Sequence, residues 1–458
     1  MAPLTEWMPV RAGHQALDLV VKVVGHAVSE CLEDWVPVVR LLASHGFSIM
    51  AQAGTGSDDG VLTVRIADKP FYSTGAGCDV LIHLSGVSAY PRVEVQPGSV
   101  LLWEPPAGEY TQRHLAQGMI SYDLPLKAIS ASRGDGMRGR HAAALGALLH
   151  LLGVPEDLLR QQAAFCRAPQ SFIGGVEFAD HSIAKRDAYS LPWGQSEVRR
   201  GMVLGAAEAV LLGYAAGVCE CGTACDDEMT SAPERWVERH VGVGRSVASV
   251  SVSERYPGVQ VYQGHGGKVR TLLGGSEPAI AACLDECEAS HVFVAADVLD
   301  AMQLIMVGHH LIRRGLSEGV WIVIEQAIAQ RYQSSAITRV AETIDKMRAT
   351  SPSSVELSNR KATFMVEQDR ECEAEIGFVA WGGTQGVVRD AVELCRGIGL
   401  PVAALYPKCL VPFEGSVLET FMNEMRHVVF IESAQGTGWW RRAQTALPSN
   451  ATVLAPAP

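Results

Sequence analysis

Residues 374–407 read "AEIGFVAWGGTQGVVRDAVELCRGIGLPVAALYP". A short apolar run ends in two glycines, a stretch with helical spacing follows, and a second apolar run comes after it. Buried strands of parallel sheets are continuous runs of Val, Ile and Leu, whereas surface helices repeat apolar residues every three or four positions. The stretch therefore predicts strand, helix and strand. "PFEGSVLETFMNEM" (412–425) predicts another helix and "RHVVFIES" (426–433) another strand, so this region is a layered α/β unit.

The middle of the chain repeats this alternation. "SHVFVAAD" (290–297) and "GVWIVIEQ" (319–326) predict buried strands on either side of a helix over 298–316. A strand, a helix and a second strand of this length are typical of a parallel βαβ unit. "SEVRRGMVLGAAEAVLLGYAAG" (196–217) predicts one continuous helix that Ser196 can cap.

The beginning of the chain also alternates strands and helices. "LDLVVKVVGH" (17–26) and "CDVLIHLSG" (78–86) predict strands, and "VPVVRLLASHGF" (36–47) predicts a helix that stops near Gly46. "HAAALGALLHLLGVPEDLLRQQAAF" (141–165) predicts two helices separated by a break at Gly153 and Pro155.

These patterns predict three layered α/β domains with mostly parallel sheets. The predicted boundaries are 15–167 for the first domain, 193–349 for the second and 374–458 for the third. Residues 168–192 and 350–373 are rich in polar, Gly or Ser residues with weak periodicity, which predicts two linkers.

Charge and hydropathy exclude several classes of protein. The 458-residue chain has a formal net charge of -12 and a pI near 5.6, so its surface repels nucleic acid. It has no transmembrane run of about 20 apolar residues, and its start does not have the pattern of a signal peptide. We therefore expect a cytoplasmic protein without membrane insertion, whose 11 cysteines are thiols or metal ligands rather than disulfides.

The third domain resembles the transketolase C-terminal-like domain of 2-oxoacid:ferredoxin (acceptor) oxidoreductases. The strand at 376–380 leads into Gly382 and Gly383, and the following helix turns Val388, Ala391 and Val392 inward. Pro412-Phe413 resembles the family's "PFP" turn, and "VVFIESAQGTG" (428–438) resembles its strand ending in Glu and Gln-Gly.

Further resemblances cover the rest of the chain. "GMVLGAAEAVLLGYAAGV" (201–218) and residues 292–330 resemble the first helix and the closing βαβ unit of the family's pyrimidine-binding domain, and "VRIADKPFYSTGAGCDVLIHL" (64–84) resembles its gamma domain. This order is that of the fused alpha subunit. The resemblance implies an enzyme that uses thiamine diphosphate and Mg²⁺ shared with a beta-type subunit, converts a 2-oxoacid and coenzyme A to acyl-CoA and CO₂, and reduces ferredoxin.

Two ligand motifs of that family are missing. The gamma domain's "GxGGxG" loop reads "VVGHAVSE" (23–30), in which only Gly25 remains. Such glycines let a phosphate reach backbone N–H groups at a helix N-terminus. In the pyrimidine-binding domain, "VCECGTACDDE" (218–228) replaces "YPITP", and the candidates for the acid that contacts the thiamine pyrimidine are Glu277, which we prefer, and Glu254.

A cysteine cluster occupies the altered segment. Cys219, Cys221 and Cys225 fall within seven residues, and Cys283 and Cys287 lie four apart on a predicted helix, where both face one side. Thiolates are soft ligands, so the trio with Cys283 or Cys287 predicts an iron–sulfur cluster or a zinc site. The alternative is that these cysteines are packed as small hydrophobic residues.

Other candidates have simpler explanations. His309 and His310 are adjacent on a helix and point about 100° apart, which predicts ordinary helix histidines with satisfied ring nitrogens. "YQGHGGK" (262–268) lacks the ending of a phosphate-binding loop and predicts a turn, and "DDE" (226–228) predicts a solvated acidic loop rather than a Mg²⁺ site.

Two functions remain open from the sequence. In the first, the chain is the alpha-type subunit of the oxidoreductase, and Glu277 supplies the carboxylate to the cofactor. In the second, it is a non-catalytic scaffold or electron-relay subunit that keeps the alpha fold and binds a metal or iron–sulfur centre. Both predict a hetero-oligomer.

Overall fold

The computed structural model describes residues 17–25, 28–54, 60–84, 93, 95–105, 118–132, 134–193, 201–218, 233–253, 258–275, 290–336, 365–370, 374–413 and 415–431. Its strands are β1 (Asp18–Val24), β2 (Ser48–Ala53), β3 (Val61–Ala67), β4 (Val80–His83), β5 (Val100–Trp103), β6 (Ile120–Asp123), β7 (Gly201–Gly205), β8 (Ser249–Val252), β9 (Gln260–Gly264), β10 (Val269–Gly275), β11 (His291–Val294), β12 (Val320–Glu325), β13 (Arg331–Ala336), β14 (Val366–Asp369), β15 (Ile376–Ala380), β16 (Val402–Pro407), β17 (Cys409–Val411) and β18 (His427–Ile431). Its helices are α1 (Val28–Ser44), α2 (Leu126–Ala131), α3 (Gly136–Leu151), α4 (Glu156–Ala163), α5 (Pro169–Ser182), α6 (Ala206–Val218), α7 (Pro233–Val247), α8 (Val298–Arg313), α9 (Gln326–Ala329), α10 (Thr384–Gly397) and α11 (Gly415–Glu424).

The strands form three sheets. The first has the order β6-β5-β4-β1-β3-β2-β13-β7, the second β17-β11-β12-β10-β9-β8 and the third β14-β16-β15-β18. Each contains a run of parallel strands: β6-β5-β4-β1 in the first, β11-β12-β10 in the second and β16-β15-β18 in the third. Helices pack against these runs, and the expected layered α/β fold is confirmed.

The core of the first sheet lies under α1 and α3. Leu19, Val64 and Ile66 on the sheet belong to one buried cluster with Trp35 of α1 and Leu145 of α3. Continuous apolar runs fill this face because strands buried in a layered sheet leave no room for polar side chains.

The second and third sheets agree with the sequence prediction. Strand β11, helix α8 and strand β12 form the expected parallel βαβ unit. In the third sheet, β15 pairs in parallel with β16 and β18, and Val388 and Val392 of α10 are buried while Ala391 is half-buried. The "YQGHGGK" stretch forms the predicted turn, a hairpin between β9 and β10.

One helix prediction was wrong at its beginning. Gly201–Gly205, which the sequence assigned to a continuous helix from Ser196, is strand β7, and the helix begins at Ala206. Strand β7 pairs with β13, which in turn pairs with β2 of the first sheet. Pairing with a strand more than 100 residues away overrode the local helical pattern.

A second difference concerns residues 168–192. Weak periodicity predicted a linker over the surface, and in the structure residues Pro169–Ser182 form α5, which packs against α3. A Cβ atom on Gly175 would overlap Ala143 O, and one on Gly146 would overlap Phe172 O. Glycines allow this close approach, and because they have no apolar side chain, the helix shows no clear apolar periodicity in the sequence.

None of the helices in the described ranges is long and apolar enough to cross a membrane.

Candidate functional site at the junction of the three sheets

The residues that the sequence singled out for ligand binding lie outside the described ranges. They are Glu254, Glu277, Cys219, Cys221, Cys225, Cys283 and Cys287. Within the described ranges, no three or more His, Cys, Asp or Glu side chains are grouped so that they could hold a metal ion. The proposed carboxylate and the proposed thiol cluster therefore remain predictions.

The carboxyl ends of two parallel sheets meet in the described part of the chain. Glu325 ends β12 of the second sheet, and Gly382 and Gly383 follow β15 of the third. Gly383 N donates a hydrogen bond of 2.7 Å to Glu325 Oε2. Ligands of open α/β sheets bind outside the carboxyl ends of the strands, so this junction is a candidate site by topology.

The two glycines make room for the Glu325 carboxylate. Gly382 has a φ of +55°, which residues with a side chain rarely adopt. A Cβ on Gly383 would lie 2.6 Å from Glu325 Oε2. Gly383 is also the N-cap of α10, where free N–H groups attract a negative charge. The "WGG" turn noted in the sequence thus receives a carboxylate from the neighbouring sheet.

A second carboxylate sits at the start of α8. Asp297 is its N-cap, and Asp297 Oδ1 accepts a hydrogen bond of 2.7 Å from Asp300 N. Asp300 Oδ2 reciprocally accepts one of 2.9 Å from Ala296 N. This arrangement works as a capping box and fixes the Asp297 carboxylate at the carboxyl edge of β11.

The first sheet contributes a buried guanidinium that faces these acids. Arg331, on β13, is 6% exposed, and its Nε donates to Gln52 Oε1 at 3.0 Å. Its Nη1 atom has no hydrogen-bond partner. Burial lowers the pKa of Arg331, and the carboxylates of Asp297, Glu325 and Asp390 oppose that shift.

A cleft of about 200 Å³ opens between the first sheet and the start of α8. Its lining includes Asp68, Phe71, Tyr72, Asp297, Leu299 and Gln333. Gln333 lies two residues from Arg331 on the same face of β13, and its buried Oε1 also has no partner. The cleft is smaller than the 300–1,000 Å³ typical of cofactor pockets, so it suits a small polar group.

A buried ion network ties the third sheet to α8. Lys408 Nζ lies 2.7 Å from Asp300 Oδ1 and 3.2 Å from Glu367 Oε2. Burial alone would lower the pKa of Lys408, but the two carboxylates outweigh it and raise that pKa. Arg389 Nη2 completes the network at 2.7 Å from Glu367 Oε1.

Asp390 of α10 joins the third sheet to the first. Its carboxylate accepts hydrogen bonds from Tyr72 N at 2.9 Å, Ser73 N at 3.0 Å and Ser73 Oγ at 2.5 Å. Arg65 Nη1 donates a fourth of 2.7 Å, and Arg65 is also paired with Asp18 at 2.8 Å. This joint holds the loop after β3 against α10 and forms one wall of the cleft.

Gly25, at the end of β1, lies against the segment that follows β4. A Cβ on Gly25 would lie only 2.7 Å from Leu84 Cβ. His26 and Ala27, which follow, lie outside the described ranges.

Sequence reasoning missed Glu325, Arg331 and Asp390. For Asp297 a signal existed, because Asp-x-x-Asp before an apolar helix is a capping pattern. For Arg331 and Asp390 there was none, because a single charge in a strand or on a helix looks the same whether it faces solvent or another sheet.

Comparison with known proteins gives matches among solved structures only. No protein-family model and no curated protein sequence matches this chain. The 2-oxoglutarate:ferredoxin oxidoreductase from Magnetococcus marinus, solved with 2-oxoglutarate, coenzyme A and succinyl-CoA bound, matches with a TM-score of 0.68 and 16% identity. The match covers 96% of this chain and 96% of that chain. The fold of this protein is similar to that of the oxidoreductase over 96% of both chains.

Two shorter solved chains match part of the molecule. A pyruvate oxidoreductase subunit from Thermotoga maritima covers 35% of this chain and 92% of its own, at 16% identity and a TM-score of 0.27. The gamma subunit of a keto/oxoacid ferredoxin oxidoreductase from Geobacter sulfurreducens covers 35% of this chain and 97% of its own, at 16% identity and a TM-score of 0.23. Superpositions this poor carry no argument about the site.

Proposed function

We propose that this chain is the alpha-type subunit of a thiamine diphosphate-dependent 2-oxoacid:ferredoxin oxidoreductase complex. The complex converts a 2-oxoacid and coenzyme A to acyl-CoA and CO₂, or runs the reverse reaction, with ferredoxin as electron partner. The observation that carries the proposal is the similarity of fold to such an enzyme over 96% of both chains. The order of the three resembled domains along the sequence supports it independently.

The described residues fit the cofactor only in part. Thiamine diphosphate supplies the carbanion chemistry when bound, and the protein has to give its pyrimidine ring a carboxylate. At the carboxyl edge of the second sheet, Asp297 already caps α8 and Glu325 already accepts from Gly383 N. The proposal therefore assigns the carboxylate to Glu277, with Glu254 as the other candidate, and the diphosphate site with Mg²⁺ to a beta-type partner.

The test is to purify the complex anaerobically through a tag on this chain and follow 2-oxoacid-dependent reduction of methyl viologen. Glu277→Gln keeps the side-chain shape but removes the charge, so we expect it to abolish turnover while the complex still assembles. Glu254→Gln is the matched control and should keep turnover. Unchanged turnover in both variants would dismiss the catalytic role of this chain.

The second candidate function is a non-catalytic scaffold or electron-relay subunit. One observation favours it. The ion pairs that hold the sheets together, Arg65–Asp390 and Lys408–Asp300, are formed, whereas the glycine loop at the end of β1 is reduced to Gly25, which lies beside Leu84. In this function, Cys219, Cys221 and Cys225 bind one iron–sulfur or zinc centre with Cys283 or Cys287.

The metal centre is tested without activity. Iron, zinc and acid-labile sulfide are measured in the purified complex and in a triple Cys→Ser variant of the trio. The variant should lose about one equivalent of metal or cluster and become less stable, since metal binding is coupled to folding. Equal metal content in both proteins would show that the thiols are packing residues.

A further inference from the structure

Buried polar atoms without a hydrogen-bond partner point to a missing water, ion or ligand. His309 of α8 is one such place, because it has 0% exposure and neither of its ring nitrogens has a partner. The expectation of a satisfied helix histidine is therefore wrong for His309. Gln333 of β13 is another such place, and it also lines the cleft between the first sheet and α8. A molecule in that cleft lies beside the unpartnered amide.

The lining of this cleft carries two carboxylates and no cation. Asp297 stands at the start of α8 and Asp68 follows β3, and none of the lining residues is Lys, Arg or His. Arg331 and Lys408 act on Asp297 from outside the lining, and each of them also faces two other carboxylates. The charge of the lining therefore favours a cation over an anion in the cleft.

Acceptor oxygens in the lining have capacity for hydrogen bonds. Asp297 Oδ1 accepts from Asp300 N at 2.7 Å, whereas Asp297 Oδ2 accepts no hydrogen bond within the described ranges. The carboxylate of Asp68, which is exposed, likewise accepts none there. Gln333 Oε1 is a third acceptor without a donor. An ammonium group has three N–H donors and no acceptor, which matches a lining of this kind.

The remaining lining is largely apolar and sets the size of the ligand. Phe47, Phe71, Leu204 and Val298 contribute to it. A cleft of about 200 Å³ has the volume of about six or seven water molecules at about 30 Å³ each. Within the described ranges no three His, Cys, Asp or Glu side chains are grouped to hold a metal ion. The cleft therefore suits an organic cation with a short apolar chain.

We infer that this cleft binds a small primary ammonium compound. The ammonium group donates hydrogen bonds to Asp297 and Gln333, and a chain of about four carbons lies against the apolar lining. The exposed Asp68 adds to the negative potential that attracts the ligand. This inference goes beyond the proposed reaction and does not rest on it, because a 2-oxoacid is an anion and the lining offers it no cation.

The experiment is a ligand-observed NMR titration of the full chain with n-butylammonium, 1-butanol and butyrate at one salt concentration. The three probes have similar apolar chains and differ in charge. We expect n-butylammonium to bind at least about 10-fold more tightly than either of the others, because a hydrogen bond to a charged group is worth about that factor or more.

Two variants test the assigned contacts. Asp297→Asn removes the charge and keeps the helix cap, since Asn caps helices as well as Asp does, and it should weaken n-butylammonium binding by about 10–100-fold. Gln333→Leu removes a neutral acceptor and should weaken binding by about 2–10-fold. Asp157→Asn, the same change at an exposed position in the first turn of α4, is the matched control and should bind as the wild type does.

Circular dichroism checks that each variant folds. If Asp297→Asn does not fold, Gln333→Leu still decides, because its side-chain oxygen has no partner to lose. Three results would overturn the inference: no binding of n-butylammonium by the wild type, binding of 1-butanol or butyrate that is as tight, or unchanged binding in both Asp297→Asn and Gln333→Leu. None of these measurements depends on turnover, so failure of the proposed function is detected separately.

Discussion

The two faces of the first sheet are built from alternate residues of the same strands, and they differ in chemistry across β1, β3, β2 and β13, although the second face also carries apolar clusters that include Val24, Leu81 and Met50. On one face Ile49, paired with Ile66, is buried under α1 and α3 in an apolar cluster. On the other face a cross-strand row joins Lys22, Thr63, Gln52 and Arg331, in that order across β1, β3, β2 and β13.

Each face meets a different part of the molecule. The apolar face is covered by helices from its own region, whereas the polar face meets α8, α9 and α10 of the other two regions. Apolar contacts do not depend on direction, and they hold the sheet to the helices that cover it. Charged hydrogen bonds have a fixed geometry, so they determine how the first sheet is placed against the other two. The first sheet therefore forms a core on one side, and on the other side its polar row forms a joint with the other two sheets.

The largest effect is expected from the apolar face. Leu62 of β3 has 0% exposure and packs under α1 and α3. Leu62→Ala should lower the free energy of unfolding by about 3–5 kcal/mol, because it leaves a cavity. Its neighbour Thr63 points to the polar face and is half-buried, so Thr63→Ala should cost less than about 1 kcal/mol. Urea unfolding compares them, and equal losses would remove the distinction between the faces.

The joint on the polar face should come next. Asp390→Ala leaves Arg65 and three other donors without their acceptor and should cost about 3 kcal/mol. We expect the third region to melt separately and to be cut earlier by a protease, while the first region stays folded. Glu393→Ala, an exposed acid one turn along α10, is the control. A single transition shifted as a whole would show that Asp390 supports the core rather than a joint.

A polar network within the apolar side makes stability depend on pH. Asp34 of α1 lies 3.1 Å from His141 and 2.9 Å from Arg167. Burial alone would raise the pKa of Asp34, but these partners outweigh it and lower the pKa to about 2. The lowered folded-state pKa gives about 2.5 kcal/mol of stability above pH 4, which is lost as pH falls from 4 to 2.

Asp34→Asn should therefore be less stable than the wild type at pH 7 by about this amount, and the gap should close as pH falls through that window. Urea unfolding at pH 7 and pH 3 measures the gap. Glu419→Gln, an exposed change on α11, should show no gap at either pH. A gap that stays constant between the two pH values would assign the cost to packing rather than to charge.

The smallest effect is expected at Arg331. Its Nη1 has no partner, so the buried charge is only partly compensated. Arg331→Met should leave the free energy of unfolding unchanged or raise it by up to about 1 kcal/mol, since an apolar side chain of similar length removes the desolvation cost. Thermal unfolding of wild type, Arg331→Met and Arg331→Lys measures this. If Arg331→Met lowers the free energy of unfolding as much as Asp390→Ala does, then Arg331 helps to hold the first sheet against the other two.

The sequence predicted well wherever the signal was local. Strand β15, helix α10 and strand β16 lie where their periodicity placed them, and so do β11, α8 and β12. The glycine turn at Gly382 and the break between α3 and α4 were also visible, because glycine and proline act on their own backbone. The candidate site was not predicted in this way, because Glu325, Arg331 and Asp390 carry no local pattern.

The layered α/β class and most of its elements therefore follow from the sequence alone, since strand and helix periods are properties of a few consecutive residues. Only the tertiary structure decided that Gly201–Gly205 is a strand, that its partner is β13, and that β13 completes the first sheet. It also decided that His309 is buried without a partner. Pairing and burial are set by residues far away in the chain, and those contacts exist only once the sheets have docked.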